Sequence, residues 1–177
     1  MSRSLSTLAP EFRERLGVLL EACAARGVDM RPYCTERPPS DQARLWRQSR
    51  CMSEIDAAAR MLMDADAHWL AGVLLSVGPQ HGPQVTSALP GQSWHQFGLA
   101  CDSYWLASGK AQWSAAKGGN ANGYRVMAEE ASRLGLRSLG DIGDWPHVQG
   151  PASASPRSDG MTWAEIDEAM RERFGGS

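Results

Sequence analysis

The chain has 177 residues, 42% of them hydrophobic and 21% charged, which allows one ordinary domain with at most a short appendage and excludes disorder of the whole chain. Lys plus Arg is 18 and Asp plus Glu is 20, a net charge of −2, so the chain has no evident electrostatic hold on nucleic acid or an anionic membrane. No apolar run reaches the roughly 18 residues that span a bilayer.

The N-terminus carries Glu11, Arg13, Glu14 and Arg15 where a signal peptide would be apolar, so synthesis in a cytoplasm without general export is expected. Leu8 to Arg26 reads as a helix, because Phe12, Leu16, Leu19, Leu20 and Cys23 recur on one helical face. Val28 to Cys34 reads as a short extended stretch. A second helix is expected over Asp41 to Arg50, with Ser40 as its N-cap.

The alanine- and methionine-rich stretch Ser53 to Val77 predicts helix, with Ile55, Ala59, Leu62 and Met63 on one face. Ala71, Leu74 and Leu75 repeat that pattern further on. Met52, Met61 and Met63 are expected in the core. Pro83 to Trp105 reads as short extended pieces, with turns at Pro90-Gly91 and around Gly98. Gly118 to Asn122 reads as a loop, Tyr124 to Leu134 as a helix, and Asp144 to Gln149 as a final strand. Residues 151–160 resemble a linker. Thr162 and Glu165 form a capping box that opens a last helix ending near Phe174. Helices early and mixed elements late favour an α+β fold.

Cys23, Cys34, Cys51 and Cys101 form no C-x-x-C pair, and in a reducing compartment they are expected to be free thiols, most of them filling the core. His68, two residues after Asp66, does not share a helical face with it and is not expected to bind metal.

The chemistry concentrates in Ser93-Trp94-His95-Gln96-Phe97-Gly98-Leu99-Ala100-Cys101-Asp102, where an imidazole and a carboxylate flank a glycine that lets the backbone turn. If the two ends are adjacent extended segments, His95 and Asp102 face one point. Alone, such a pair is a core histidine and a loop aspartate. A second cluster, Asp144-Trp145-Pro146-His147, adds a ligand. Two histidines and one carboxylate suit zinc and leave a fourth position for water, the layout of a catalytic site. Asp144 is then a spare carboxylate near the metal, placed either to act as a base in amide hydrolysis or merely to cap a turn.

These motifs resemble the zinc D-Ala-D-Ala peptidase family, the VanX- and VanY-like enzymes, and within it the phage L-alanyl-D-glutamate endolysins. Ser93, His95, Gly98, Ala100 and Asp102 match its first motif, and Asp144, Trp145 and His147 its second. The resemblance implies His95, Asp102 and His147 as ligands of one Zn2+ and Asp144 as general base. Glu36-Arg37 through Gln42 to Arg50 is similar to a further family segment. It implies Arg37 at the scissile carbonyl and places Arg37, Gln42, Ser93 and Trp145 among substrate-binding residues. On the residues alone, Arg37 can also be read as a helix-flanking charge paired with Glu36 or Asp41, and Ser93 as a turn cap.

The implied fold is a small antiparallel sheet carrying the zinc site, flanked by helices as in hedgehog and D-Ala-D-Ala peptidases. A helical insertion spans about 51–81 and is expected to form a helical hairpin. The peptidase domain is expected over 1–150, a linker over 151–160 and a terminal helix or tail over 161–177. The implied function is zinc-dependent hydrolysis of an amide in the peptidoglycan stem peptide, as a monomeric L-alanyl-D-glutamate endopeptidase of a phage or prophage endolysin. Such an enzyme reaches the wall through a holin or another membrane-permeabilising partner and causes bacteriolysis. The alternatives are a D,D- or L,D-carboxypeptidase or dipeptidase, a wall-degrading toxin delivered by a secretion system, and a non-catalytic zinc-containing peptidoglycan-binding module.

Overall fold

A computed structural model describes residues 1–115 and 122–176. The chain order is α1 (Pro10–Ala25), β1 (Asp29–Cys34), α2 (Pro39–Arg47), α3 (Met52–Asp64), α4 (His68–Ser76), β2 (Ala100–Ala107), β3 (Lys110–Gln112), α5 (Gly123–Arg133), β4 (Arg137–Leu139), β5 (Asp144–Gln149) and α6 (Trp163–Phe174). The fold is α+β, as expected. Of the expected loop over Gly118–Asn122, only Asn122 is among the described residues; its side chain accepts from the Tyr124 N–H and caps α5.

The chain divides into two compact units. The first comprises Met1–Glu36 and Phe97–Ala152, the second Arg37–Gln96 and Ser153–Ser177.

The first unit holds the sheet, with strand order β1-β2-β5-β4 and β3 on β2, all pairings antiparallel. Phe12, Leu16, Leu19 and Cys23 of α1 meet Tyr124, Val126, Met127 and Ala131 of α5 over Met30, Cys101 and Val148 of the sheet. This is the face expected for α1. Strand alternation sends the residues between these to the opposite face of the sheet.

The second unit is helical. The stretch expected to be helical over Ser53 to Val77 forms a hairpin of two helices, α3 and α4, that pack together, as expected for the insertion. The break falls at Asp66, whose φ is +59°. Short acidic residues tolerate this left-handed backbone, and Asp64 and Asp66 are unfavourable at a helix C-terminus.

Helix α4 is short and apolar, and both its ends are held by charge from other helices. Asp167 of α6 accepts from the Leu70 N–H at 2.7 Å and the Trp69 N–H at 3.4 Å. Arg47 of α2 is buried and donates to the carbonyls of Leu74 and Leu75 at 3.1 and 3.2 Å. Negative charge at the N-terminus and positive at the C-terminus complement the helix dipole.

Three expectations need correction. Met52, Met61 and Met63 are exposed rather than in the core, because Ile55, Ala59 and Leu62 occupy the buried stripe of α3. Helix α2 begins at Pro39, with Pro38 at the N-cap position instead of Ser40; proline at the first helical position has no orphan N–H to satisfy. The stretch before Ala100 forms no strand. Trp94–Phe97 is a 3-10 turn.

Candidate active site

In the first unit, Asp102 of β2 lies opposite His147 of β5 in register. Their neighbours Cys101 and Val148 point into the helix-covered core, so Asp102 and His147 share the other face. Both are buried, 5% and 6% exposed. His147 Nδ1 lies 3.1 Å from Asp102 Oδ1.

The second ring nitrogen is held from its own strand. His147 Nε2 lies 3.0 Å from Gln149 Oε1. Gln149 Nε2 donates to the Pro151 carbonyl at 2.9 Å, which turns the amide oxygen towards the imidazole. With Nε2 donating to that oxygen, Nδ1 is the ring nitrogen that faces the carboxylate. Two acceptors this close repel unless positive charge lies with them, as a shared proton or a metal ion. An imidazole nitrogen and a carboxylate oxygen, with the far N–H fixed by a side-chain acceptor, form a donor set suited to zinc.

Asp144 is exposed at the start of β5, opposite Leu139 of β4. In a regular strand, residues three apart point to opposite faces. The β4–β5 register slips between Ser138 and Leu139, which interrupts that alternation between Asp144 and His147. The Trp145 ring lies against Gly140, where an added Cβ would be 2.6 Å from ring carbon Cε3. Arg125 stacks over the same ring at 5.2 Å. With Arg137, Ser138 and Asp141, Trp145 lines an open cleft of about 720 Å³.

In the second unit, His95 sits on the 3-10 turn and is 1% exposed. It is not on the extended segment expected. The turn is templated by Gln96, whose side-chain oxygen accepts from the Gly91 and Ser93 N–H groups at 2.9 and 3.2 Å. Its backbone N–H donates to the Ser93 carbonyl at 3.0 Å. Trp94 Nε1 donates to the Ser153 carbonyl at 3.0 Å. Gly98 follows with φ +69°, the turn expected there.

Arg37 precedes α2 and donates from Nη1 to Gln42 Oε1 at 3.2 Å. The fully buried Gln42 gives its own N–H groups to the Ala88 carbonyl at 2.7 Å and Thr86 Oγ1 at 3.4 Å. Arg50 donates to the Thr86 carbonyl at 2.9 Å and lies over the Trp46 ring. Arg37, Gln42 and the segment 86–88 thus form one hydrogen-bonded group.

The structure therefore joins Asp102 to His147 and Arg37 to Gln42, with Asp144 and Trp145 in the first unit and Ser93 and His95 in the second. Gln149 and Gln96 were not singled out from sequence. The signal for Gln149 was present, since His147-x-Gln149 on a strand puts both side chains on one face.

Residues 5–138 match the family model of VanY, described as D-alanyl-D-alanine carboxypeptidase. The chain belongs to the VanY family. The matched span takes in Arg37, Gln42, Ser93, His95 and Asp102 and ends before Asp144, Trp145 and His147. Membership of the VanY family supports a peptidase that acts on peptidoglycan, of a kind that is typically metal-dependent. No curated protein matches the chain. Among the described residues no helix is long and apolar enough to cross a membrane.

Proposed function

We propose that this VanY-family chain is a zinc-dependent peptidase that hydrolyses an amide bond of the peptidoglycan stem peptide, the L-alanyl-D-glutamate bond, in the manner of an endolysin. The observation that supports a metal most directly is the pairing of His147 Nδ1 with Asp102 Oδ1, the far ring nitrogen being held by Gln149.

In this reading His95, Asp102 and His147 hold one zinc ion. Bound zinc supplies a Lewis acid for the scissile carbonyl. Asp144 takes a proton from the attacking water and returns it to the leaving amine. Arg37 presents its guanidinium to the oxygen on which negative charge develops. Gln42 acts through Arg37 by holding its fork, and Trp145 and Ser93 line the substrate path. A holin or similar partner gives access to the wall.

A second reading, D,D-carboxypeptidase, is favoured by the description of the matched family. Digestion of purified sacculi separates the two. New N-terminal D-glutamate supports the endopeptidase, whereas released D-alanine replaces it with the carboxypeptidase. Zinc bound without cleavage of either bond would leave only a wall-binding module.

A further inference from the structure

The row that holds Asp102 and His147 extends one strand further. Cys34, at the end of β1, lies opposite Asp102, which in turn lies opposite His147. A thiol, a carboxylate and an imidazole thus occupy one line across three adjacent strands. Cys34 Sγ and a carboxylate oxygen of Asp102 lie within 4.8 Å of each other. Cys34 is 0% exposed, so the row is closed to bulk solvent at its thiol end.

Cys101 shows the contrast. It is the residue before Asp102, faces the other way and belongs to the apolar cluster beneath α1 and α5. Burial there pushes its thiol up to about 12. Cys34 is as deeply buried yet stands outside that cluster, on the face that carries the carboxylate and the imidazole.

We propose that Cys34 is a sulfur donor to the metal ion for which Asp102 supplies a carboxylate oxygen. This inference rests on the metal-peptidase reading above. On binding, the Cys34 thiol loses its proton to solvent and the thiolate forms the bond to the metal, with no change of oxidation state. A sulfur, nitrogen and oxygen donor set selects zinc and cobalt over magnesium, calcium and manganese. Because zinc prefers four ligands, the thiolate competes with water for the coordination position that a three-residue site leaves open.

The test uses the full chain loaded with one equivalent of zinc, and its first arm needs no substitution. X-ray absorption should show one sulfur neighbour at about 2.3 Å among lighter scatterers. With cobalt in place of zinc, a sulfur-to-cobalt charge-transfer band should appear in the near ultraviolet. Cys34→Ser should abolish that band and weaken zinc at least about ten-fold in chelator competition. Cys51→Ser, on the surface, should change neither. Circular dichroism of the metal-free variants checks that they fold. Zinc bound by nitrogen and oxygen alone, or a band that survives in Cys34→Ser, overturns the assignment of Cys34 and leaves the metal-peptidase reading intact. A folded wild-type chain that binds no zinc overturns both.

Discussion

His147 and Asp102 stand opposite each other on β5 and β2, with Nδ1 and Oδ1 3.1 Å apart and both residues buried. Removing either leaves the other polar group buried without that partner and removes a donor from the proposed site. His147→Ala and Asp102→Ala should therefore lose zinc, measured by bound-metal analysis after gel filtration. Zinc should raise the melting temperature of the parent and not that of the variants, because a ligand stabilises only the state that binds it.

Gln149 Oε1 lies 3.0 Å from His147 Nε2, where it can accept the ring N–H and so hold Nδ1 towards Asp102. Gln149→Ala frees the ring to rotate and to exchange tautomers, and should weaken zinc about 10- to 100-fold by chelator competition. Gln149→Glu keeps an acceptor at Nε2 and should lose less. An unchanged zinc affinity in Gln149→Ala would show that the tautomer is held some other way.

Asp144→Asn keeps the size of the side chain and most of its hydrogen bonding but cannot take a proton. Zinc content and melting temperature should stay at parental levels while turnover falls at least about 100-fold. A residue that merely opens β5 would tolerate asparagine, and turnover would then persist.

Arg37→Ala should lose on the order of 100- to 1,000-fold in rate with zinc retained, and Arg37→Lys should recover little, since lysine lacks the planar fork. Gln42→Ala should show a smaller rate loss together with a lower melting temperature, because it also unties Ala88 from α2. Steady-state kinetics and thermal melts on the same preparations distinguish these outcomes.

The thiols should react unequally. Burial raises Cys23 to about 11 and Cys101 to about 12, so at pH 8 only about 1 in 1,000 of the former and 1 in 10,000 of the latter is thiolate. Cys51 is exposed. Iodoacetamide on the native chain should label Cys51 first, and peptide mass spectrometry should find Cys23 and Cys101 unmodified until the fold is opened with denaturant.

Local signals carried much of this fold. The Thr162–Glu165 capping box marks the start of α6, and Asp144 to Gln149 is a strand over the expected residues. Strands β3 and β4 have three residues each, too few for a period to show. Four of the site residues stood out because motif spacing runs along the chain: His95, Asp102, Asp144 and His147. Cys34 did not, because its place beside Asp102 depends on the register of β1 against β2 and on a register shift after Pro32. Gln42 was legible as a residue of interest but not as the buried tie to Thr86 and Ala88, whose partners lie more than 40 residues away.

The contact of Asp167 with the first turn of α4 has a consequence for how the protein is made. The two residues of the shorter bond, Leu70 and Asp167, are 97 positions apart, and α4 has only Ala67 at its own N-cap, which offers no side-chain acceptor. The turn at Gly91, with φ +90°, is closed by α6 as well, since a Cβ there would lie 2.5 Å from Ile166. While the ribosome is still threading residues 97–152, the helical hairpin has been synthesised but lacks the carboxylate that ties its N-terminal N–H groups and the side chain that seals the Gly91 turn. Translation at about 5–20 residues per second makes this an interval of seconds. A nascent chain stalled before Asp167 should therefore expose its hairpin to cellular proteases, and release of the last helix should protect it.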